Sequence, residues 1–190
     1  MVPHVNTTIR NIYFHLKRIH KIRKNLDFAT SAKIIHAIIT SRLDSCNSVL
    51  VGLPDNIINK LQVAQNSAAR VLTGTKRREH ITPVLRELHW LPVRTRVNFK
   101  LLCIIHKVLF SGIAPSYLSD LISVYSQSRA LRSNADGSRL KIQRSKNKYG
   151  DKLMSSGPAK TWNSLPQALR ESDFDEFKSG LKTFLFNQFF

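Results

Sequence analysis

Through most of this chain apolar residues recur every three or four positions, the spacing of one face of an α-helix. Between residues 5 and 24 the repeat is Ile9, Ile12, Tyr13, Leu16 and Ile19. Ile34, Ile35, Ile38, Ile39 and Leu43 predict the inward face of a second helix over about 28–42, with Asp27 placed to cap it. His36 lies beside that face, where packing or hydrogen bonding is its expected use rather than metal ligation. Asn47 and Ser48 then end or bend the helix, because their side chains compete for backbone groups. The clearest stripe is Ile57, Leu61, Ala64, Ala68, Val71 and Leu72. Its small residues Ala64, Ala68 and Ala69 allow a neighbouring helix to come close. A Gly52-Leu53-Pro54 corner precedes it, with Gly52 suited to a left-handed stop and Pro54 to the first turn of the new helix.

Further along, Thr82-Pro83 reads as a capped helix start that runs to Trp90-Leu91-Pro92. Trp90 could stack on a base, but Leu85, Leu88 and Leu91 around it favour a core position. Residues 93–110 form a long helix with Val97, Leu101, Ile104, Ile105, Val108 and Leu109 inward, stopped by Gly112. Pro115 opens a short helix to 121 or 122. The composition then turns to Ser, Asn, Arg and Lys, and Leu140-Lys141-Ile142 alternates as a strand would. A helix around Trp162 has Pro158 in its first turn and Pro166 as its limit, and Phe177, Leu181, Phe184 and Leu185 make a last stripe. Asp173, Asp175 and Glu176 invite a metal reading, yet they suit a helix start, where the dipole favours negative charge. The expected architecture is mainly α, with a helical region at 1–125, a basic linker or hairpin at 126–150 and a C-terminal helical segment at 151–190. A short β-hairpin near 139–153 is the one sheet element the pattern admits.

Charge changes the picture most. Thirty Lys and Arg against twelve Asp and Glu leave a net charge of +18, which favours a polyanion: RNA, DNA or an acidic membrane surface. The cations fall in clusters. Lys17, Arg18 and Lys21, with Arg10, Arg23 and Lys24 nearby, crowd a first helix that has no acid to balance them. Lys76, Arg77 and Arg78 make a basic loop, and Arg94 and Arg96 open the long helix, where they oppose its dipole and so point to an anion. Arg139, Lys141 and Arg144 lie in the basic segment. Each cluster is either a solvated face or a set of phosphate contacts.

Other chemistry is thin. Cys46 and Cys103 both sit in apolar helical patterns and are expected to be buried free thiols in a reducing compartment. No apolar run reaches the ~20 residues of a membrane span, and Arg10, Lys17 and Arg18 interrupt any signal-peptide core. An intracellular protein is expected, nuclear or cytoplasmic. There is no phosphate-binding Gly-Lys-Ser/Thr loop, no G-x-S-x-G, no H-E-x-x-H and no zinc-knuckle spacing of Cys and His. No enzyme, cofactor or metal site is expected from these patterns.

The chain also carries a resemblance. Arg42-Leu-Asp-x-Cys-Asn-Ser, Gly52-Leu-Pro, Leu61-Gln-x-x-Gln-Asn-x-Ala-Ala-Arg and His80-Ile-Thr-Pro-Val-Leu-x-x-Leu-His-Trp-Leu-Pro-Val stand in this order. Ala114-Pro-Ser-Tyr-Leu-Ser-Asp-Leu, Ser128-Arg-x-Leu-Arg-Ser, Tyr149-Gly-Asp, Pro158-Ala-Lys-x-Trp-Asn-Ser-Leu-Pro and Phe177-Lys-x-x-Leu-Lys-Thr-x-Leu-Phe follow. Together they resemble the C-terminal region of non-LTR (LINE-type) retrotransposon reverse transcriptases of the jockey and chicken-repeat kind. Ser45 departs from that pattern, which commonly has an aromatic there.

The resemblance implies a thumb-like helical region beyond the polymerase palm, and a tail piece of a larger polyprotein. Such a polymerase needs clustered carboxylates for two Mg²⁺ ions, among them an Asp-Asp pair, and no Asp-Asp pair occurs here. The implied role is non-catalytic: backbone binding of RNA or DNA through phosphates, with the palm of the parent polymerase as a further partner. The alternative is an inactive translated remnant of a transposable element, which cooperative thermal melting would argue against.

Overall fold

The 3–4 spacing becomes helix over most of the residues described in this computed structural model, which are 1–112, 114–125, 138–143 and 156–190. Their architecture is mainly α and multi-helical, as the sequence predicts. Two compact units are present, 1–97 together with Phe190, and 98–189. The division falls within one long helix, after Val97. Of the 126–150 segment only 138–143 are among the described residues.

The first unit opens with helix α1 (Val2–Ile22), which buries Val5, Ile12, Leu16 and Ile19. Helix α2 (Phe28–Ile35) starts at Asp27, whose Oδ2 accepts the Thr30 N–H at 3.0 Å. That bond with Thr30 holds the Asp27 carboxyl below its usual range. A π-helical turn, His36–Thr40, continues α2 into α3 (Ser41–Asp44). The wider turn aligns Ile35, Ile39 and Leu43 in the core, while Ile34 and Ile38 are only half-buried.

Both α1 and α2 pack on helix α4 (Asp55–Thr73). Ala64, Ala68 and Ala69 are buried there, so the small residues admit two neighbours as expected. The inward stripe is rotated from the prediction, because Ile58 rather than Ile57 is buried at its start and Val71 is half-buried. Buried Gln65 donates to the Leu91 carbonyl at 2.9 Å, and Gln62 accepts the Val93 N–H at 2.8 Å. Those amides fix the segment between α5 (Thr82–Glu87) and α6 (Val93–Phe110), and Trp90 there is core, 5% exposed.

Three local expectations are corrected. Cys46 is exposed, because it is itself the left-handed residue, at φ 53°, on which the chain turns out of α3. Pro54 precedes α4 as its N-cap instead of entering the first turn. Thr82 lies inside α5 and makes no capping hydrogen bond, the N-cap being Ile81. Gly52, at φ 69°, and Gly74, at φ 77° beyond α4, do take the left-handed conformation.

The second unit holds the remainder of α6, α7 (Ser116–Ser119), α8 (Gly157–Asn163), α9 (Gln167–Arg170) and α10 (Phe174–Phe189). Trp162, Phe177, Leu181, Leu102 and Ile105 form its core. The buried face of α6 takes in Leu102, Cys103 and His106, wider than the predicted stripe, and Ile104, Val108 and Leu109 are half-buried. Leu140 pairs antiparallel with Val124, so the strand-like residues find their partner upstream. The remainder of the expected 139–153 hairpin lies outside the described residues. Two side chains of α8 anchor this backbone. Trp162 Nε1 donates to Ser138 O at 2.8 Å, and the Asn163 amide bonds both Leu140 N and O at 2.9 Å.

Candidate nucleic-acid interface

Core burial decides which face of α1 meets water. Val5, Ile12, Leu16 and Ile19 turn inward, so Arg10, Phe14, Lys17 and Lys21, stepping by four, three and four, line the opposite side. All four are exposed, and Arg18 beside them is exposed as well. The α1 sequence contains no Asp or Glu. Arg18 places its guanidinium 4.2 Å from the Phe14 ring centroid, and His15 meets the same ring edge-on at 5.3 Å. Burial first, and then the charges of Arg42 and Arg18, lower the His15 pKa.

Helix α1 runs alongside α4 in the same direction. Val5 and Leu61 line one crevice, Tyr13 Oη lies 3.4 Å from Ser67 Oγ, and Arg23 donates to Leu72 O at 2.7 and 3.1 Å. The last bonds satisfy a terminal carbonyl of α4. Arg23 is therefore engaged, and the basic loop after Gly74 leaves from the end of α4 to which α1 is tied. Arg70 holds that loop by donating to Lys76 O, and to Glu79 O at 2.7 Å. The side chains of Lys76, Arg77 and Arg78 remain exposed. Among the described residues no carboxylate pairs with these three, nor with Lys17, Arg18 or Lys21.

The remaining cations differ. The anion that the position of Arg94 and Arg96 implied is in the chain itself. Arg96 grips Asp44 through both Nε, at 2.8 Å, and Nη2, while Arg94 pairs with Asp55. The Arg96–Asp44 side chains are 19% and 40% exposed, those of Arg94–Asp55 50% and 82%. Arg139 and Lys141 are exposed beside the Val124–Leu140 pairing in the second unit. Arg144 lies outside the described residues.

Sequence reasoning passed over three residues. Phe14 shares the stripe of Arg10, Lys17 and Lys21, and that spacing was the available signal. His106 is buried against Phe177, 4.3 Å between ring centroids, and its Nε2 donates to Ser172 O at 2.9 Å. Burial keeps its pKa below the ordinary histidine value, against the opposing influence of Ser172 and Asp173. Arg170 is 2% exposed and donates to Leu165 O at 3.1 Å and Ser138 Oγ at 3.2 Å, roles that tie the second unit together.

Among the described residues no group of three or more His, Cys, Asp or Glu could hold a metal ion, and no helix is long and apolar enough to cross a membrane. The chain matches no protein-family model, no curated protein and no solved structure.

Proposed function

We propose that this chain is a non-catalytic helical module that binds nucleic acid through phosphates, and that it derives from the C-terminal, post-palm region of a LINE-type retrotransposon reverse transcriptase. The sequence motifs support the second half of that reading. The observation that carries the first half is the outer face of α1, where Arg10, Lys17, Arg18 and Lys21 are exposed on a helix without a single acid. Lys76, Arg77 and Arg78 extend the field, and Arg139 and Lys141 add cations in the other unit. Arg96 and Arg94 leave the set of principal contacts, because each already has a carboxylate partner.

Backbone contacts of this kind carry no sequence information but release counterions from the nucleic acid. Filter binding at low and moderate salt tests the proposal. Affinity for an arbitrary RNA or DNA strand is expected at low salt and to fall steeply as salt rises. Affinity indifferent to salt, or none at low salt, refutes it.

A further inference from the structure

We propose that the exposed ring of Phe14, set among Arg10, Lys17, Arg18 and Lys21, is a base-stacking platform, and that this face of α1 takes single-stranded nucleic acid in preference to duplex. The inference rests on the nucleic-acid reading above and narrows it. Phe14 is 53% exposed on a helix whose inward face is already filled by four aliphatic residues, so the core makes no use of it. Its ring stands in line with phosphate-length cationic side chains on either side, one turn away at Arg10 and at Lys17 and Arg18. The Arg18 guanidinium, 4.2 Å from the ring centroid, adds a second flat, cationic surface on which a base can lie.

A duplex can use such a ring only by unstacking and kinking at a base step, which costs free energy. Its bases are stacked on one another, and it offers a helix face only phosphates and groove edges. A single strand offers phosphates to the lysines and an unstacked base to Phe14 at the same time, the combination by which sequence-tolerant single-strand binders work. The absence of acids on α1 supplies the charge complementarity.

Fluorescence anisotropy on the full chain tests the inference with four probes: labelled oligouridylate, a strand of equal length and charge with abasic sites, a matched duplex, and phosphatidylserine vesicles. Phe14→Ala and Phe14→Leu are compared with the unaltered chain. Because Phe14 is exposed, both variants are expected to keep the parent helical circular dichroism. Each is expected to weaken oligouridylate binding about 5- to 150-fold, the range for loss of one base–aromatic stack. Duplex and abasic-strand binding should not change. The inference is overturned if the substitutions leave oligouridylate binding intact, if they weaken all strands equally, or if vesicles bind more tightly than oligouridylate. Salt-sensitive binding without a Phe14 effect removes only the stacking platform. Loss of all nucleic-acid binding at low salt in the unaltered chain removes the broader proposal as well.

Discussion

Arg96 separates structural cations from the proposed nucleic-acid contacts, and its pairing energy can be stated in advance. It meets Asp44 in a two-point fork across 52 residues of sequence. Exposed ion pairs are worth about 0.2–1 kcal/mol, while breaking a buried one costs about 3–5. With side chains 19% and 40% exposed, this pair falls between, nearer the exposed end, and the fork geometry lifts it above the exposed range. We expect a coupling of about 1.5 kcal/mol, or roughly a tenfold change in the folding equilibrium. The assay is a double-mutant cycle in urea with Arg96→Ala, Asp44→Ala and the pair. A parallel cycle on Arg94 and Asp55, 50% and 82% exposed, should give less than about 0.5 kcal/mol. Arg96→Lys should lose most of the coupling, because an ammonium cannot make the fork. Oligonucleotide affinity should be unmoved by Arg96→Ala. A coupling indistinguishable from zero, together with a marked loss of affinity, would refute the reasoning and return Arg96 to the phosphate contacts.

The second unit and the loop yield further tests. Asn163→Ala strips partners from both Leu140 N–H and C=O, and the expected cost is about 2–3 kcal/mol in urea melts. Burial lowers the His106 pKa from 6.5, so the folded chain binds that proton less readily than the unfolded one. The associated stability is complete above about pH 6.5 and is lost as pH falls towards the folded value, at no more than about 1.4 kcal/mol per unit. Replacing His106 by Phe should flatten this acid limb, leaving the slope due to His15, and an unchanged slope would contradict the assignment. Gly74→Ala meets no atom within 4 Å of the added Cβ, so its cost is backbone strain at φ 77°, about 1 kcal/mol by thermal melting.

What the sequence revealed followed from local rules. Helical period placed α1, α4 and α6, Asp27 made its cap, and Gly52 and Gly112 took left-handed conformations. Trp90 is core, as its apolar neighbours implied. The misses needed either a backbone irregularity or a distant partner. A π turn shifts the register between Ile35 and Leu43, and a left-handed Cys46 ends the helix six residues before Gly52 could. The acids that occupy Arg94 and Arg96 lie 39 and 52 residues upstream, beyond any periodicity argument. At the candidate interface, clustering identified Lys17, Arg18 and Lys21, but counting charges alone hid Phe14 on the same stripe. The motif glutamines Gln62 and Gln65 are spent on holding the Trp90–Val93 backbone.

The central claim is that the outer face of α1 carries phosphate binding. Its most direct test compares the salt dependence of single-strand binding for the unaltered chain and for the variant Arg10→Gln, Lys17→Gln, Arg18→Gln, Lys21→Gln. Four lost phosphate contacts should reduce the log–log slope against salt by about 3. A slope that is the same in both proteins would contradict the account.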